Sequence, residues 1–276
     1  MIHEVVHLKD RFPFLGEDGK DPLLTTYLPY NMVEMNRQDQ LRPAILILPG
    51  GGYHFNSERE AEVIALRFLP KGYNAFVLNY SVAPHHFPSQ IREVAAAMEL
   101  IHANAKQWNT DPERIAIMGF SAGGHLACHY TNCYDIPEVR EVFPESKAVN
   151  ASILCYPVIT GDPAHRHTGS FQHLSGHQEV TQEDIEKFSL HTKVTARTAP
   201  TFLWHTAEDQ VVPIKNSILY ADALATNKVP FELHIYPFGW HGLCTSDSES
   251  NGALEPKVAH TAQWMDSLMK WLKITL

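Results

Sequence analysis

The sequence is short of cysteines, of clustered basic residues and of long apolar runs. Its 4 cysteines contain no C-x-x-C pair and are too sparse for a disulfide-stapled scaffold, so free thiols are expected. The formal charge of −9, with scattered acidic residues, disfavours nucleic-acid binding, which needs concentrated Lys and Arg. The run AILIL at 44–48 is too short to span a bilayer, and MIHEVVHLKD lacks the apolar region of a secretory signal. We therefore expect a cytoplasmic protein that contacts neither nucleic acid nor membrane.

The remaining composition is that of a folded enzyme or binding protein. Apolar residues make up 44% of the 276 positions and charged residues 19%. Short aliphatic runs alternate with longer amphipathic segments, which predicts a mostly parallel sheet covered by helices on both faces. The predicted strands lie at 44–48, 74–80, 114–119, 151–156, 201–205 and 231–236. The fold class expected from this rhythm is α/β, in a single domain spanning 1–276.

Three helices can be placed by their spacing. Apolar residues recur at helical intervals over 88–106, so one face of that segment should pack on the sheet. A second helix should begin near Pro213, and a third over 256–273 should bury a stripe of apolar residues. That stripe consists of Val258, Trp264, Leu268 and Trp271.

Two regions depart from the alternation. The first 40 residues are punctuated by prolines, and LLTTYL is interpreted as part of an antiparallel edge of the sheet. The segment 160–198 is rich in His, Gly, Thr and Ser, and it is predicted to be an insertion over the sheet that forms a partial cap. Within it, Thr181 and Asp184 fit a capping box for one helix.

The stretch Gly119-Phe120-Ser121-Ala122-Gly123 follows a predicted strand and precedes a helix. A G-x-S-x-G turn between those elements is typical of a nucleophile elbow, in which strain exposes the serine and glycines allow close backbone approach. Ala122 would lie at the start of the helix, where its N–H is unpaired and the helix dipole favours negative charge. Ser121 is the predicted nucleophile; an ordinary Gly-rich turn is the alternative.

A second glycine motif, LPGGGY at 48–53, directly follows the strand at 44–48. This architecture needs further backbone donors at that place for the oxyanion of a tetrahedral intermediate. We predict that the N–H groups of Gly51, Gly52 and Ala122 form the oxyanion hole. A flexible loop without a catalytic role is the alternative.

A serine hydroxyl needs a general base and an orienting acid, which in this fold follow the serine in the chain, acid first. Asp209 follows the strand at 201–205, and His241 follows the strand at 231–236. Both therefore lie at the carboxyl ends of strands, where open α/β sheets bind ligands. Glu208 is the rival acid, but the position of Asp209 before Val-Val-Pro favours Asp209.

The other histidines offer weaker alternatives. His125 and His129 lie four residues apart on the helix after Ser121, which runs away from the serine, so packing or surface positions are favoured. The insertion carries HRH at 165–167, His173 and His177, the last two with zinc-ligand spacing. Glycines surround that pair and no acid completes a set, so no metal site is predicted, and loop or pocket-lining roles are preferred.

Several motifs in this order resemble the hormone-sensitive-lipase-like branch of the α/β-hydrolase superfamily, and within it the small acetyl esterases, acetyl xylan esterases and feruloyl-esterase-like enzymes. LPGGGY resembles the H-G-G-G oxyanion loop, NYSVAPHHFP the Y-R-L-A-P-E-x-x-F-P segment, and GFSAGGHLA the elbow. TAEDQVVP and WHGL resemble the acid and base blocks. Pro49 stands where lipases have His, while Ser81 and His85 replace Arg and Glu; these departures disfavour a long-chain lipase.

The resemblance implies a serine carboxylesterase that removes short acyl groups, especially acetyl, from small-molecule or carbohydrate esters without a metal or organic cofactor. Tyr53, His54, Phe55 and Trp240 are the predicted substrate pocket, with the insertion beside them. The same triad could cleave amides, as in peptidases or arylformamidases. A catalytically silent hydrolase fold that binds an acylated ligand or a partner protein is a third hypothesis. A terminal helix or edge strand offers a homodimer contact.

Overall fold

Eight strands form one sheet in a computed structural model that describes all 276 residues. The strands are β1 (Val5–His7), β2 (Leu23–Tyr27), β3 (Arg42–Leu48), β4 (Asn74–Asn79), β5 (Thr110–Phe120), β6 (Ala151–Cys155), β7 (Thr201–Thr206) and β8 (Phe231–Tyr236). Their spatial order is β1-β2-β4-β3-β5-β6-β7-β8. The pairs β1/β2 and β2/β4 are antiparallel, and all pairs from β4 to β8 are parallel.

Eleven α-helices accompany the sheet. They are α1 (Leu8–Arg11), α2 (Glu62–Phe68), α3 (Ser89–Ala103), α4 (Ala122–Cys133), α5 (Pro137–Arg140), α6 (Thr168–Ser175), α7 (Gln182–Phe188), α8 (Lys215–Thr226), α9 (Ser248–Asn251), α10 (Pro256–Ala259) and α11 (Gln263–Thr275). No helix is both long enough and apolar enough to cross a bilayer.

The six predicted strands and the antiparallel edge at LLTTYL are confirmed by this arrangement. The central strands are apolar on both faces because helices cover both faces of the sheet there, and every residue of β6 and β7 is buried. One core layer lies under α3, α4, α8 and the insertion, and the other lies under α2 and α11. All four cysteines are buried free thiols, as expected.

The predicted helices are present with adjusted ends. α3 occupies 89–103, and Pro213 lies just before α8. The single helix predicted over 256–273 is instead divided into α10, a 3₁₀ turn at His260–Ala262, and α11. Its predicted buried stripe is nevertheless buried throughout, at Val258, Trp264, Leu268 and Trp271.

The insertion contributes two helices to one face of the sheet. α7 begins at the predicted capping box, where the Thr181 hydroxyl accepts from the Asp184 N–H and the Asp184 carboxylate accepts from the Thr181 N–H. α6, which the sequence pattern did not reveal, ends at Gly176 in the left-handed region. Phe171 and Phe188 anchor the two helices in the core, so the insertion is a packed part of the domain.

Candidate active site

Ser121 lies in the turn between β5 and α4, at the carboxyl end of the parallel strands. Its backbone adopts φ 53° and ψ −117°, a strained conformation for a residue with a side chain. The surroundings fix that conformation, because its N–H donates to the Cys155 carbonyl at 3.0 Å and its carbonyl accepts from the His125 N–H at 3.0 Å. The turn therefore has the strand–turn–helix geometry predicted from the sequence.

The two glycines that flank Ser121 are required by close backbone contacts. A Cβ atom on Gly119 would collide with the carbonyl of Gly123, and one on Gly123 would collide with the carbonyls of Leu48 and Pro49. Their lack of side chains allows the start of α4 to lie directly against the end of β3. The nucleophile turn and the glycine loop after β3 are thereby brought side by side.

The glycine loop offers backbone donors next to Ser121. Gly51 and Gly52 have φ values of 121° and 64°, and neither N–H finds an acceptor within the chain. The Ala122 N–H is likewise unpaired, because Ala122 is the first residue of α4. Gly50 differs, since its N–H donates to the Glu60 carboxylate at 2.8 Å. The structure brings the three predicted oxyanion donors together, with Gly50 serving to anchor the loop.

Ser121, His241 and Asp209 form a continuous hydrogen-bonded chain. The Ser121 hydroxyl donates to His241 Nε2 at 2.8 Å, and His241 Nδ1 donates to Asp209 Oδ2 at 2.6 Å. Glu208, the rival acid, accepts instead from the Gly239 N–H at 3.1 Å and so braces the loop that precedes His241. The geometry therefore selects Asp209 as the partner of His241.

Asp209 is buried and yet well supplied with donors. Its Oδ1 accepts from the N–H groups of Val211 and Val212, both at 2.9 Å. Its Oδ2 is also 3.2 Å from Nε2 of the buried His205. Burial by itself raises the pKa of this carboxyl, but the hydrogen bonds from His205 and His241 outweigh it and hold the pKa far below its ordinary value. Asp209 is consequently an anion at neutral pH.

His205 is a site residue that the sequence motifs did not reveal. Its Nε2–H also donates to the Val212 carbonyl at 2.9 Å, which fixes the tautomer, and its Nδ1 accepts from the Ser217 hydroxyl at 2.8 Å. A histidine at the end of the apolar run TFLWH, four residues before the predicted acid, was the available signal. A buried polar group in a strand needs hydrogen-bond partners, and those of the His205 ring come from residues that follow it closely in the chain, Asp209, Val212 and Ser217.

A cavity of about 320 Å³ opens in front of Ser121. Among its 13 lining residues are Ser121, His241, Gly51 and Gly52, so the nucleophile, the base and two donors face the same space. His54 and Phe55, two of the predicted pocket residues, line it as well. The rest of the lining comes from Ser57, Arg59, Glu60, His167, His173, Val211 and Gly242.

Tyr53 and Trp240, the other two predicted pocket residues, do not line this cavity. The positive φ of 57° at Tyr53 is accompanied by complete burial of its side chain, which donates a 2.8 Å hydrogen bond to His125 Nδ1. Trp240 is 52% exposed and borders a separate depression with Glu208 and Lys257. Both predictions are corrected here. Tyr53 is a packing residue under the glycine loop. Trp240 lies on the outer side of the loop that follows β8 and carries His241, which we call the base loop.

His125 and His129 are both buried in the packing under the loop and the insertion. The Phe188 carbonyl can only accept, so His125 donates to it through Nε2 at 2.9 Å and receives the Tyr53 hydroxyl at Nδ1. Burial lowers the pKa of His125 to about 4, which keeps this arrangement neutral. The predicted packing role of His125 is thus accompanied by a link between loop, helix and insertion.

Of the histidines in the insertion, His167 and His173 reach the cavity. His173 donates from Nδ1 to the Gly52 carbonyl at 2.8 Å, and its ring stacks on His54 at 5.1 Å between centroids. His177 points elsewhere and contacts Asp184. The spacing of His173 and His177 therefore does not bring the two rings to one site.

Comparison with known proteins identifies the family of this chain. The model of the BD-FAE family matches residues 31–224, which include the glycine loop, the elbow and the insertion. The chain belongs to the BD-FAE family. Within this family context, the chain shares 37% identity over 234 residues with endo-1,4-beta-xylanase B of Butyrivibrio fibrisolvens, and 31% over 232 residues with an acetylxylan esterase of Xylanibacter ruminicola. These matches cover 81% and 83% of this chain.

The chain spans 36% and 45% of the length of those two relatives, which are longer proteins. Solved structures of similar length also match. An acetyl ester-xyloside bifunctional hydrolase from Caldicellulosiruptor lactoaceticus has a TM-score of 0.83 at 32% identity, covering 98% of this chain and 96% of its own. A carboxylesterase from Lactobacillus plantarum has a TM-score of 0.83 at 27% identity, covering 99% and 98%. The fold is that of the α/β-hydrolases, and these solved relatives of similar length are named as ester hydrolases.

Proposed function

We propose that this BD-FAE member is a serine carboxylesterase that removes short acyl groups, chiefly acetyl, from carbohydrate esters. The observation that carries the proposal is the hydrogen-bonded chain Ser121–His241–Asp209 beside the unpaired N–H groups of Gly51, Gly52 and Ala122. An arrangement of nucleophile, base, orienting acid and free donors around one cavity is what acyl transfer requires.

The steps follow from the hydrogen bonds already described. As the Ser121 hydroxyl attacks the ester carbonyl, His241 Nε2 takes its proton and the carbonyl oxygen becomes an oxyanion. The unpaired N–H groups receive that oxyanion, and the Asp209 carboxylate stabilises the imidazolium that has formed. His241 then returns the proton to the departing alcohol. In the second half, His241 deprotonates a water molecule as it attacks the acyl-enzyme. His241 then returns that proton to Ser121 Oγ as the bond between Oγ and the acyl carbon breaks, which releases the acid and restores the serine.

The cavity supports a short acyl group and a polar alcohol. Its volume of about 320 Å³ lies at the small end of ligand sites, and only Phe55 and Val211 contribute apolar side chains of any size. Histidines, a serine and an arginine make up much of the remaining wall, and such side chains can bind hydroxyl groups. A long acyl chain would find little apolar surface to cover it.

The sugar part of the proposal draws on the relatives. One relative is named an acetylxylan esterase, and one solved structure is that of an acetyl ester-xyloside bifunctional hydrolase. Those names describe the other proteins; here they support acetylated xylo-oligosaccharides as the first substrates to try.

The deciding experiment is hydrolysis of p-nitrophenyl esters from acetate to octanoate, with an acetylated xylo-oligosaccharide, a formyl arylamide and a peptidyl amide in parallel. We expect turnover of acetate and of the acetylated sugar, steep loss with chain length, and a fall of at least about 10⁴-fold in kcat for Ser121→Ala. Amide turnover without ester turnover would instead indicate an amidase, and no turnover with no labelling of Ser121 by a fluorophosphonate would indicate a silent fold.

A further inference from the structure

Glu60 is a buried carboxylate that the proposed chemistry does not use. It is 3% exposed although it lies in the acidic stretch SEREAE, and both of its oxygens accept hydrogen bonds. Oε2 accepts from the Gly50 N–H at 2.8 Å, and Oε1 accepts from the Tyr156 hydroxyl at 2.6 Å. A buried charge is costly unless it is paired or hydrogen-bonded, so this position is maintained by specific contacts.

The two contacts join segments that are far apart in sequence. Gly50 immediately precedes the donors Gly51 and Gly52. Tyr156 immediately follows β6, and the carbonyl of Cys155, the last residue of β6, accepts from the Ser121 N–H at 3.0 Å. Through Glu60, the loop of the oxyanion donors is therefore tied to the strand end that fixes the nucleophile turn.

Tyr156 extends the connection to the base. Its oxygen accepts from the Cys244 N–H at 3.0 Å, three residues after His241, and its ring lies edge-on to the His241 ring at 5.1 Å between centroids. The Tyr156 hydroxyl thus donates to Glu60, and its oxygen accepts from the loop that carries the base. We call the set Gly50, Glu60, Tyr156 and Cys244 the carboxylate clamp.

We propose that Glu60 is a positioning residue for the reaction. Through the carboxylate clamp it holds the oxyanion donors, the nucleophile turn and the base loop in fixed positions relative to one another. Glu60 borders the cavity, but no step of the proposed reaction uses it. The inference deepens the proposed esterase function and rests on it. Because donors placed for a transition state act on kcat more than on KM, weakening the clamp should slow the chemical step while leaving substrate binding nearly intact.

Glutamine is the informative replacement because it keeps the shape and removes one acceptor. The carboxylate accepts from Gly50 on one oxygen and from Tyr156 on the other, whereas an amide has a single acceptor oxygen. If the amide oxygen of the Glu60→Gln variant accepted from Gly50, the amide NH₂ group would face the Tyr156 hydroxyl, which would then have no acceptor for its proton. If the amide were turned round, the NH₂ group would face the Gly50 N–H, donor against donor. One hydrogen bond of the clamp must therefore be lost.

The first test compares Glu60→Gln with wild type on p-nitrophenyl acetate. We expect kcat to fall about 10-fold to 100-fold, because small displacements of catalytic groups carry losses of this size, with KM changed by less than about 3-fold. Glu93→Gln is the matched control, since Glu93 is also a buried carboxylate that accepts a backbone N–H, from Ser81 at 2.6 Å, but lies outside the site. Its kcat should stay within about 2-fold of wild type.

A trifluoromethyl ketone separates positioning from general destabilisation. Its adduct with Ser121 bears an oxyanion, so its inhibition constant should rise in proportion to the loss of kcat/KM in Glu60→Gln and should not change in Glu93→Gln. Tyr156→Phe breaks the clamp at its other end and serves if Glu60→Gln does not fold. The kcat of the double variant should be no more than about 3-fold below that of the less active single variant, because both changes disable the same unit.

The outcomes distinguish the two proposals. Folded Glu60→Gln and Tyr156→Phe with wild-type kcat, or with a raised KM and unchanged kcat, would overturn the clamp while leaving the esterase proposal intact. If wild type cleaves no ester but Ser121 reacts with a fluorophosphonate, the clamp still predicts slower labelling in Glu60→Gln, and equal labelling rates would reject it. If wild type neither cleaves esters nor is labelled, both proposals fail.

Discussion

Two buried carboxylates, Asp209 at the active site and Glu93 on α3, have opposite electrostatic surroundings. Both are almost completely removed from solvent, at 4% and 0% exposure. Asp209 has hydrogen-bond donors on both oxygens, and its pKa lies well below the ordinary value. Glu93 accepts from Ser81 through Oε2, its Oε1 has no partner within the chain, and burial raises its pKa to about 7. Burial is common to both, so the donors decide which carboxylate stays charged.

The comparison explains why the site places so many donors around one side chain. An orienting acid that lost its charge could neither hold His241 in the required tautomer nor stabilise the imidazolium. Val211, Val212 and His205 keep the charge on Asp209 although the residue is buried. Nothing comparable surrounds Glu93, which tolerates a proton because no chemistry depends on its charge.

The largest effect should come from exchanging the charge itself. Asp209→Asn should reduce kcat on p-nitrophenyl acetate by about 10³-fold to 10⁴-fold at neutral pH, because the amide cannot stabilise the imidazolium and favours the wrong tautomer. Glu208→Gln, one residue away, should lose less than about 5-fold, since glutamine retains an oxygen for the Gly239 N–H. Equal losses in the two variants would show that the acid has been assigned to the wrong residue.

The next effect concerns stability rather than rate. Between about pH 4.5 and pH 7 the unfolded chain has released the Glu93 proton and the folded protein has kept it, so this residue lowers the free energy of unfolding as pH rises. Measured by urea denaturation at about pH 5 and pH 8, the free energy of unfolding should fall with rising pH by less in Glu93→Gln than in wild type. The difference between the two proteins should be up to about 3 kcal/mol. Asp209 has the opposite sign: its stabilisation is present above its ordinary pKa and is lost as pH falls below it. If the free energy of unfolding of Glu93→Gln had the same pH dependence as that of wild type, the predicted difference between Glu93 and Asp209 would be wrong.

A smaller effect is expected at His205. His205→Phe keeps most of the side-chain volume but removes the N–H donor at Nε2, which lies 3.2 Å from Asp209 Oδ2. The carboxylate then keeps the donors from Val211, Val212 and His241. We expect kcat at about pH 7 to fall about 3-fold to 10-fold, measured against Ser217→Ala, which disturbs only the far side of the ring and should lose less. A loss as large as that of Asp209→Asn would mean that the donors are not shared among several residues.

Much of this site could be predicted from sequence because its parts carry local signatures. The elbow needs glycines at 119 and 123, the loop needs glycines at positive φ, and the candidate acid and base follow strands. Short motifs were therefore sufficient to single out Ser121, Asp209 and His241, which the structure joins by hydrogen bonds. The central strands and the antiparallel edge could likewise be predicted from apolar runs and proline placement.

The rest depends on contacts between distant segments. Glu60 lies among charged residues and resembles a solvated helix start, so its burial against Gly50 and Tyr156 has no local mark. Trp240 was misplaced because adjacency to His241 along the chain says nothing about the direction of its side chain. Tyr53 was assigned to the pocket because it follows the glycines in the sequence. In the structure its backbone has a positive φ and its ring is buried under the glycine loop. Each error concerns direction, which periodic patterns specify only inside helices and strands.

The position of Trp240 also makes the protein its own optical probe. The other four tryptophans, Trp108, Trp204, Trp264 and Trp271, are at most 5% exposed, whereas Trp240 is 52% exposed beside the base loop. Aqueous quenchers such as iodide therefore reach one indole in the native protein and all five after unfolding. In the native protein, the fraction of tryptophan emission that iodide quenches reports on the base loop. When all of the emission can be quenched, the protein has unfolded.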